Sequence, residues 1–318
     1  MAEERLGEGN CMLTAEKIKA YAQSLSVPAC GVCSAKRDEQ LAERLYKQRA
    51  KYPLCGFEEA DIEKRVNPKC LLPSAQSVFV CIFPYYVGEA QPENLARFAS
   101  VRDYHRIARQ YLALIADFIG RHEPHLEYKI LCDASPLADR QLAYRAGLGF
   151  WGKNHMLIHP RFGSYFCIGS LLLNITLLPD RPIGQQCSGC NACIRACPGG
   201  ALTNDFGFDC EKCISYITQK KEITDGQTQL LRKQCSVYGC DVCQKVCPHN
   251  QNVPDTPIRE FYTDILPKLD GHALAAMSGR AFKRAYESYA FSWCSKTTLL
   301  KNFPEDMNDG DIITGRQL

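Results

Sequence analysis

Two cysteine runs carry the plainest chemistry in this chain. The first, Cys187-Ser-Gly-Cys190-Asn-Ala-Cys193-Ile-Arg-Ala-Cys197-Pro198, has the spacing C-x2-C-x2-C-x3-C-P. Loops that short wrap three thiolates around one face of a 4Fe–4S cube, and the fourth cysteine crosses to a second cube. The second run, Cys240-Asp-Val-Cys243-Gln-Lys-Val-Cys247-Pro248, lacks an opening cysteine, because Val237 stands at that position. Cys187, Cys190, Cys193 and crossed-over Cys247 therefore complete one cluster. Cys240, Cys243 and crossed-over Cys197 give three ligands of the other. The eighth thiolate comes from Cys210, Cys213 or Cys235, and spacing does not choose among them. Disulfides are the bland alternative, but nothing at the N-terminus reads as a secretory signal. Structural zinc takes two separated ligand pairs rather than a triplet followed by Cys-Pro.

A two-cluster module moves single electrons, so the large segment before it should hold what receives them. No G-x-G-x-x-G follows a strand and no P-loop is present, which leaves a nicotinamide or flavin site without support. A corrinoid remains open. One common corrinoid module uses D-x-H-x-x-G to set a histidine beneath the cobalt. The nearest run, Asp270-Gly-His272-Ala-Leu-Ala275, lacks the glycine, so a bound corrinoid would have no histidine there. Asp133 directly follows the apolar run 128–132, at the strand end where open α/β sheets bind ligands. Its competing role is an N-cap for the residues that follow. In the turn Gly147-Leu-Gly-Phe-Trp-Gly-Lys-Asn154, Gly152 lets a ligand approach the backbone. Lys153 reads as a solvated loop lysine. Cys30 and Cys33 form a C-x-x-C, but no second ligand pair or following helix supports a redox role. Cys11, Cys55, Cys70, Cys81, Cys132, Cys167 and Cys294 read as small buried apolar residues in a reducing cytoplasm.

The elements that must position these residues follow from periodicity. Thr14 caps a helix with Ile18, Tyr21 and Leu25 on its apolar face, and residues 27–32 form a short strand. Residues 40–46 are helical, and 52–65 are a polar surface segment. The run 77–83, closed by Pro84, fits a strand buried on both faces. Residues 104–119 make an amphipathic helix with Ile107, Tyr111, Leu114, Ile115 and Phe118 inward. A strand at 128–132, a helix at 139–146 and a strand at 165–174 complete an α/β domain ending near residue 180. Pro179, Pro182 and Gly184 mark a linker. Helices at 273–277 and 279–286 follow the clusters, and residues 302–318 are expected to be disordered. At 318 residues the chain suits about two domains. No apolar run is long enough to span a membrane. The formal charge of +3 is too small to argue for nucleic acid by itself.

Several motifs together resemble one known family, the epoxyqueuosine reductases, cobalamin-dependent iron–sulfur enzymes of tRNA modification. They are Gly56-Phe-Glu-Glu-Ala-Asp-Ile-Glu-Lys-Arg65, Asp103-Tyr-His105, Asp133, Arg145-Ala-Gly-Leu-Gly-Phe-Trp-Gly-Lys-Asn154, Phe162-Gly-Ser-Tyr165, Cys213-Ile-Ser-Tyr216 and Tyr238-Gly-Cys-Asp-Val-Cys243. The resemblance covers most of residues 15–290. It implies reduction of the epoxide of epoxyqueuosine, at the tRNA wobble position, to the alkene of queuosine. It implies that Cys213 is the eighth cluster ligand, leaving Cys210 and Cys235 spare, and that Asp133 is the catalytic acid. Arg65, Ala96, Ala138, Asn154, Leu157, Ile168 and Ser215 fall where the family contacts cobalamin, although Ala138 replaces the family's serine. Gln219, Lys220 and Lys221 fall where the family touches tRNA, and Arg232 and Lys233 add basic charge nearby.

The implied architecture is an α/β (α+β) corrinoid-binding catalytic domain over residues 1–180. A ferredoxin-like double 4Fe–4S domain follows over 181–255, and a short helical segment over 256–318. Two cubane clusters and cobalamin are the expected cofactors, tRNA and an external electron donor the partners, and a cytoplasmic monomer the setting. A carboxylic acid beside the cobalt works best if burial raises its pKa. Many family members carry a helical-repeat tail after the region matching 280–293, and this chain stops soon after. Weak tRNA binding, centred on the anticodon stem-loop, is therefore expected. The rival expectations are a corrinoid reductase of a small molecule, resembling reductive dehalogenases, and a non-enzymatic electron carrier.

Overall fold

The fold was read from a computed structural model, which describes residues 13–88, 90–234 and 236–303. Six strands occur there: β1 (Ala29–Ser34), β2 (Ser77–Pro84), β3 (Tyr128–Cys132), β4 (Phe150–Trp151), β5 (Leu157–Ile158) and β6 (Phe166–Leu173). Four of them form one sheet in the order β1-β2-β6-β3, and β4 and β5 pair as a small ribbon. Every ladder of the main sheet is antiparallel. The alternation of strands and helices therefore does not produce a parallel α/β sheet. The α+β half of the expectation describes the arrangement better.

The continuous apolar run of β2 has a direct cause, because every one of its residues is buried. Phe79, Cys81 and Phe83 face one layer, built from Ile18 and Ala22 of the Ala15–Ser24 helix and the inner stripe of the Tyr104–His122 helix. Val78, Val80 and Ile82 face the opposite layer, with Leu142 and Ala143 of the Asp139–Arg145 helix. Antiparallel sheets usually leave one face to water, so burial on both faces points toward a parallel strand, but here helices cover both faces of an antiparallel sheet and the cue misleads.

The Tyr104–His122 helix buries Ile107, Ala108, Leu112, Ile115 and Ile119, the stripe a 3.6-residue period demands. Leu114 was expected inward but is 45% exposed, since it lies about a hundred degrees off that stripe. Cys30 belongs to one sheet face and Cys33 to the other, so the C-x-x-C cannot close as a redox pair. The linker is pinned to the sheet edge: Asp180 donates its N–H to Val32 O (2.9 Å) and accepts from Val32 N (2.7 Å) and Lys19 Nζ (2.7 Å).

Past the cysteine runs, Asp270 and Ser278 cap the helices Gly271–Ala276 and Gly279–Tyr286. Phe282, Phe291, Leu299 and Phe303 pack with Leu95, Ala99, Val237 and Tyr238. Disorder was expected from residue 302 onward, yet Asn302 and Phe303 are buried. Residues 304–318 lie outside the described residues, as do Cys11 and Cys235. Among the described residues no helix is long and apolar enough to cross a membrane.

Candidate active site and metal centres

The cysteine loops fold around two short helices, Ala192–Ala196 and Val242–Lys245, which pack against each other. Cys187, Cys190, Cys193 and Cys247 line one cavity together with Pro248 and His249. Burial, and then the neighbouring Cys193, Cys187 and Cys190, raise the Cys247 thiol pKa. A second group forms around Cys243, where burial and then Cys240, Cys213 and Cys197 push the thiol upward. Cys210 joins neither group: its sulfur lies 3.6 Å from Pro53 O and faces Cys55. The first four thiols surround a cavity rather than a point. Among the described residues no three His, Cys, Asp or Glu side chains converge closely enough to hold a single ion.

Asp133 directly follows β3 with a φ of 56°, in the left-handed region, and its carboxylate meets the start of the Tyr104–His122 helix. Tyr104 Oη donates to Asp133 Oδ2, and His105 Nε2 lies 3.2 Å from the same oxygen. His105 Nδ1 meets Asp103 Oδ1 at 2.6 Å, while that carboxylate also caps the helix by accepting from His105 N at 3.0 Å. Burial acts to lower the His105 pKa, but bonds to Asp103 and Asp133 outweigh it and lift the value to about 9. The hydrogen bond from His105, and after it that from Tyr104, hold the Asp133 carboxyl below its ordinary range, while the side chain stays largely open to solvent. Asp133 is thus an anion facing an imidazolium, not the acid of raised pKa that the chemistry first suggests. Nor is it a cap, because Ala138 occupies the N-cap position of the next helix and makes no side-chain cap bond. Asp139 carries the raised value instead: burial, then the charge of Asp133, push it up to about 8.

The residues expected against a corrinoid fall into three places. Arg65 reaches the Asp133 loop, with Nη1 3.1 Å from Pro136 O, and its own carbonyl accepts from Ala138 N at 3.3 Å. Ala96 N donates to Tyr238 O (2.9 Å), Asn154 Nδ2 lies 3.4 Å from Cys243 O, and Ser215 follows Cys213 on the Ile214–Ile217 helix. These three adjoin the second thiol group. Leu157 is fully buried on β5, and Ile168 packs half-buried beside the same core layer. Arg65 Nε and Asp139 Oδ1 are buried without hydrogen-bond partners, but Arg65 Nε lies 3.5 Å from Glu58 Oε1 in an ion pair, which leaves Asp139 Oδ1 the unpartnered atom of the two. A bound polar group would satisfy such an orphaned atom. Gly152 serves the chain itself, because a Cβ there would lie 2.4 Å from Asn154 Oδ1. Lys153 is no free loop lysine, since its Nζ donates to Asn191 Oδ1 at 2.8 Å.

Of the residues expected to touch RNA, Gln219 bonds internally to Ser215 O (2.8 Å) and accepts from Tyr238 Oη (3.1 Å). Lys220 pairs with Glu211 at 2.6 Å. Lys221 has no carboxylate partner among the described residues, and Lys233 is exposed. Arg232 ends the Asp225–Arg232 helix, and its side chain lies outside the described set. Sequence reasoning gave Tyr104 and His105 no role, although the Asp103-Tyr-His105 triplet at a helix start was the available signal. Nothing in the sequence marked Asp139.

Comparison with known proteins places this geometry in a family. Residues 186–250 match the model described as "4Fe-4S double cluster binding domain", and residues 65–134 match "Epoxyqueuosine reductase QueG, DUF1730". An epoxyqueuosine reductase of Bacillus cereus is 35% identical over 302 residues, covering 90% of this chain and 78% of that protein. A crystal structure of epoxyqueuosine reductase with an epoxyqueuosine-modified tRNA-Tyr stem loop superposes with a TM-score of 0.81 at 35% identity, covering 90% of this chain and 79% of that one. The Bacillus subtilis enzyme, solved with its catalytic aspartate loop swung out of the active site, gives 0.81 at 34% identity with the same coverage. This chain belongs to the epoxyqueuosine reductase family.

Proposed function

We propose that this protein reduces the epoxide of epoxyqueuosine, at the wobble position of tRNA, to the alkene of queuosine. Family membership supports the reaction, and the relative solved with an epoxyqueuosine-modified stem loop supports the substrate. The feature of the chain that speaks most directly for it is the Tyr104–His105–Asp133 network. It lies within electrostatic reach of Tyr238, two residues before Cys240.

Converting an epoxide to an alkene takes up two electrons and two protons and releases water. We assign Cys187, Cys190, Cys193 and Cys247 to one 4Fe–4S cluster and Cys197, Cys213, Cys240 and Cys243 to the other. The double-cluster family match supports both. Arg65, Ala96, Ala138, Asn154, Leu157, Ile168 and Ser215 form the proposed cobalamin surface, and the buried, unpartnered Asp139 Oδ1 beside Arg65 suits a polar ligand there. Bound cobalamin supplies a store for electrons that clusters deliver singly.

The chain's own part is the first of the two protons, and solvent water supplies the second. His105 is the reservoir at neutral pH, since its value near 9 keeps it charged. Asp133 Oδ2 takes the proton from Nε2 and presents it to the departing oxygen. Tyr104 Oη fixes the carboxylate in that orientation. Gln219, Lys220, Lys221 and Arg232 form one edge of the proposed RNA surface. An external donor feeds the clusters of a cytoplasmic monomer divided into residues 1–180, 181–255 and 256–318.

The test is an anaerobic assay of reconstituted protein with cobalamin and a stem-loop carrying epoxyqueuosine. Mass spectrometry should show loss of one oxygen atom from the modified nucleoside. An unchanged nucleoside with both clusters and cobalamin present overturns the proposal.

A further inference from the structure

We propose that Phe57, Tyr216 and Trp293 form a stacking platform for unpaired bases of the anticodon loop, an inference that rests on the tRNA substrate proposed above. Three elements distant in sequence bring these rings together. Phe57 stands edge-on to Tyr216 (5.1 Å, 70°) and to Trp293 (5.5 Å, 86°). Two of them are open to solvent, Phe57 at 53% and Trp293 at 54%. Large rings left exposed side by side forgo the stabilisation of burial, which a partner can supply.

The rings are held rather than loose. Gly56 N donates to Tyr216 Oη at 3.0 Å, and a Cβ at Gly56 would lie 2.9 Å from that oxygen. Trp293 Nε1 donates to Tyr238 Oη at 2.8 Å, and Tyr238 Oη in turn bonds Gln219. Rings fixed before binding lose little entropy when a base settles on them.

Charge around the platform suits a polyanion. Lys220 Nζ lies 5.5 Å from the Tyr216 ring centroid, although Glu211 offsets its charge. Lys283 Nζ donates to Ser292 O, beside Trp293, and Lys301 Nζ donates to the carbonyls of Lys220 and Lys221. Carbonyls are neutral, so both ammonium groups are positioned without being cancelled. Aromatic faces rimmed by fixed positive charge are the general solution for binding single-stranded nucleic acid.

The experiment measures binding of an unmodified anticodon stem-loop RNA to anaerobic holoenzyme by fluorescence anisotropy, across a salt series. Phe57→Ala and Trp293→Ala should each weaken binding about tenfold or more with the salt slope unchanged, because stacking displaces no counterions. Trp293→Phe should recover most of the affinity. Lys283→Ala should instead flatten the slope. Unchanged affinity in both alanine variants overturns the platform. Lost cobalamin with unchanged RNA affinity also overturns it, and assigns the rings to the corrinoid. Wild-type protein that binds the stem-loop but leaves epoxyqueuosine intact sinks the proposed function and leaves the platform standing, so the two failures are distinct.

Discussion

At the scale of single residues, the decisive contact joins Asp133 to a histidine 28 positions upstream. Asp133→Asn should keep clusters and cobalamin but lower turnover about 10²-fold or more, as expected when a positioned proton donor is removed. Near-normal turnover with intact cofactors would return Asp133 to a structural role. The pH dependence follows from His105. Its value in the fold, about 9, stands above the ordinary 6.5, so its pairing energy is complete below pH 6.5 and is lost as pH rises through 9. Turnover should therefore fall on the alkaline side near pH 9, and His105→Gln should remove that limb along with most activity. Asp139, at about 8, titrates nearby, so Asp139→Asn is the control and should leave the limb in place. If the limb moves with Asp139 instead, the reservoir has been misassigned. Asp133 itself was legible in the sequence, because a carboxylate directly after an apolar strand invites a site. Its partners were not, since nothing local tells that the start of one helix abuts the end of β3.

At the scale of elements, the cysteine loops were the most legible part, because cluster spacing is a local property of the chain. The eighth ligand was not, since Cys210 and Cys213 lie at opposite ends of one short turn and only packing separates them. Cys210 faces Cys55, while Cys213 faces Cys197. Cys213→Ser should cost one of two clusters, measured as a loss of about four irons per chain, and Cys210→Ser should cost none. Iron lost in the Cys210 variant would refute this division. The four strands of the main sheet were legible as strands, and β2 even as a doubly covered one, whereas the short β4–β5 ribbon was not. The direction of the four was not, because covering helices leave the same apolar run on parallel and antiparallel strands. The Asp270–His272 run also finds its explanation here: Asp270 caps the Gly271–Ala276 helix and His272 points to solvent. Electron paramagnetic resonance of bound cob(II)alamin should accordingly show no nitrogen splitting from a histidine. Triplet splitting would place a nitrogen beneath the cobalt and contradict that.

At the scale of the whole molecule, the last described residues return to the metal centres. Asn302 Nδ2 donates to Thr218 O (2.7 Å) and Val237 O (2.9 Å), bridging the segment after Cys213 to the one before Cys240. Thr218 Oγ1 accepts from Gly239 N at 3.0 Å, so the same joint fixes the chain that enters the second thiol group. Both Asn302 and Thr218 are buried, and an unpaired buried carbonyl costs about 1–3 kcal/mol. Asn302→Leu keeps the volume but leaves two carbonyls without a donor. Its effect should be uneven across the molecule. The cluster assigned to Cys197, Cys213, Cys240 and Cys243 should release iron to a chelator several-fold faster than in wild type. The one assigned to Cys187, Cys190, Cys193 and Cys247 should release it at the original rate, since its cavity is lined by Pro248, His249 and the Gly152–Asn154 turn. Iron release followed under anaerobic conditions gives one fast and one unchanged phase if the joint acts locally. A single phase, either unchanged or uniformly faster, would show that the C-terminal return does not support the second centre in particular.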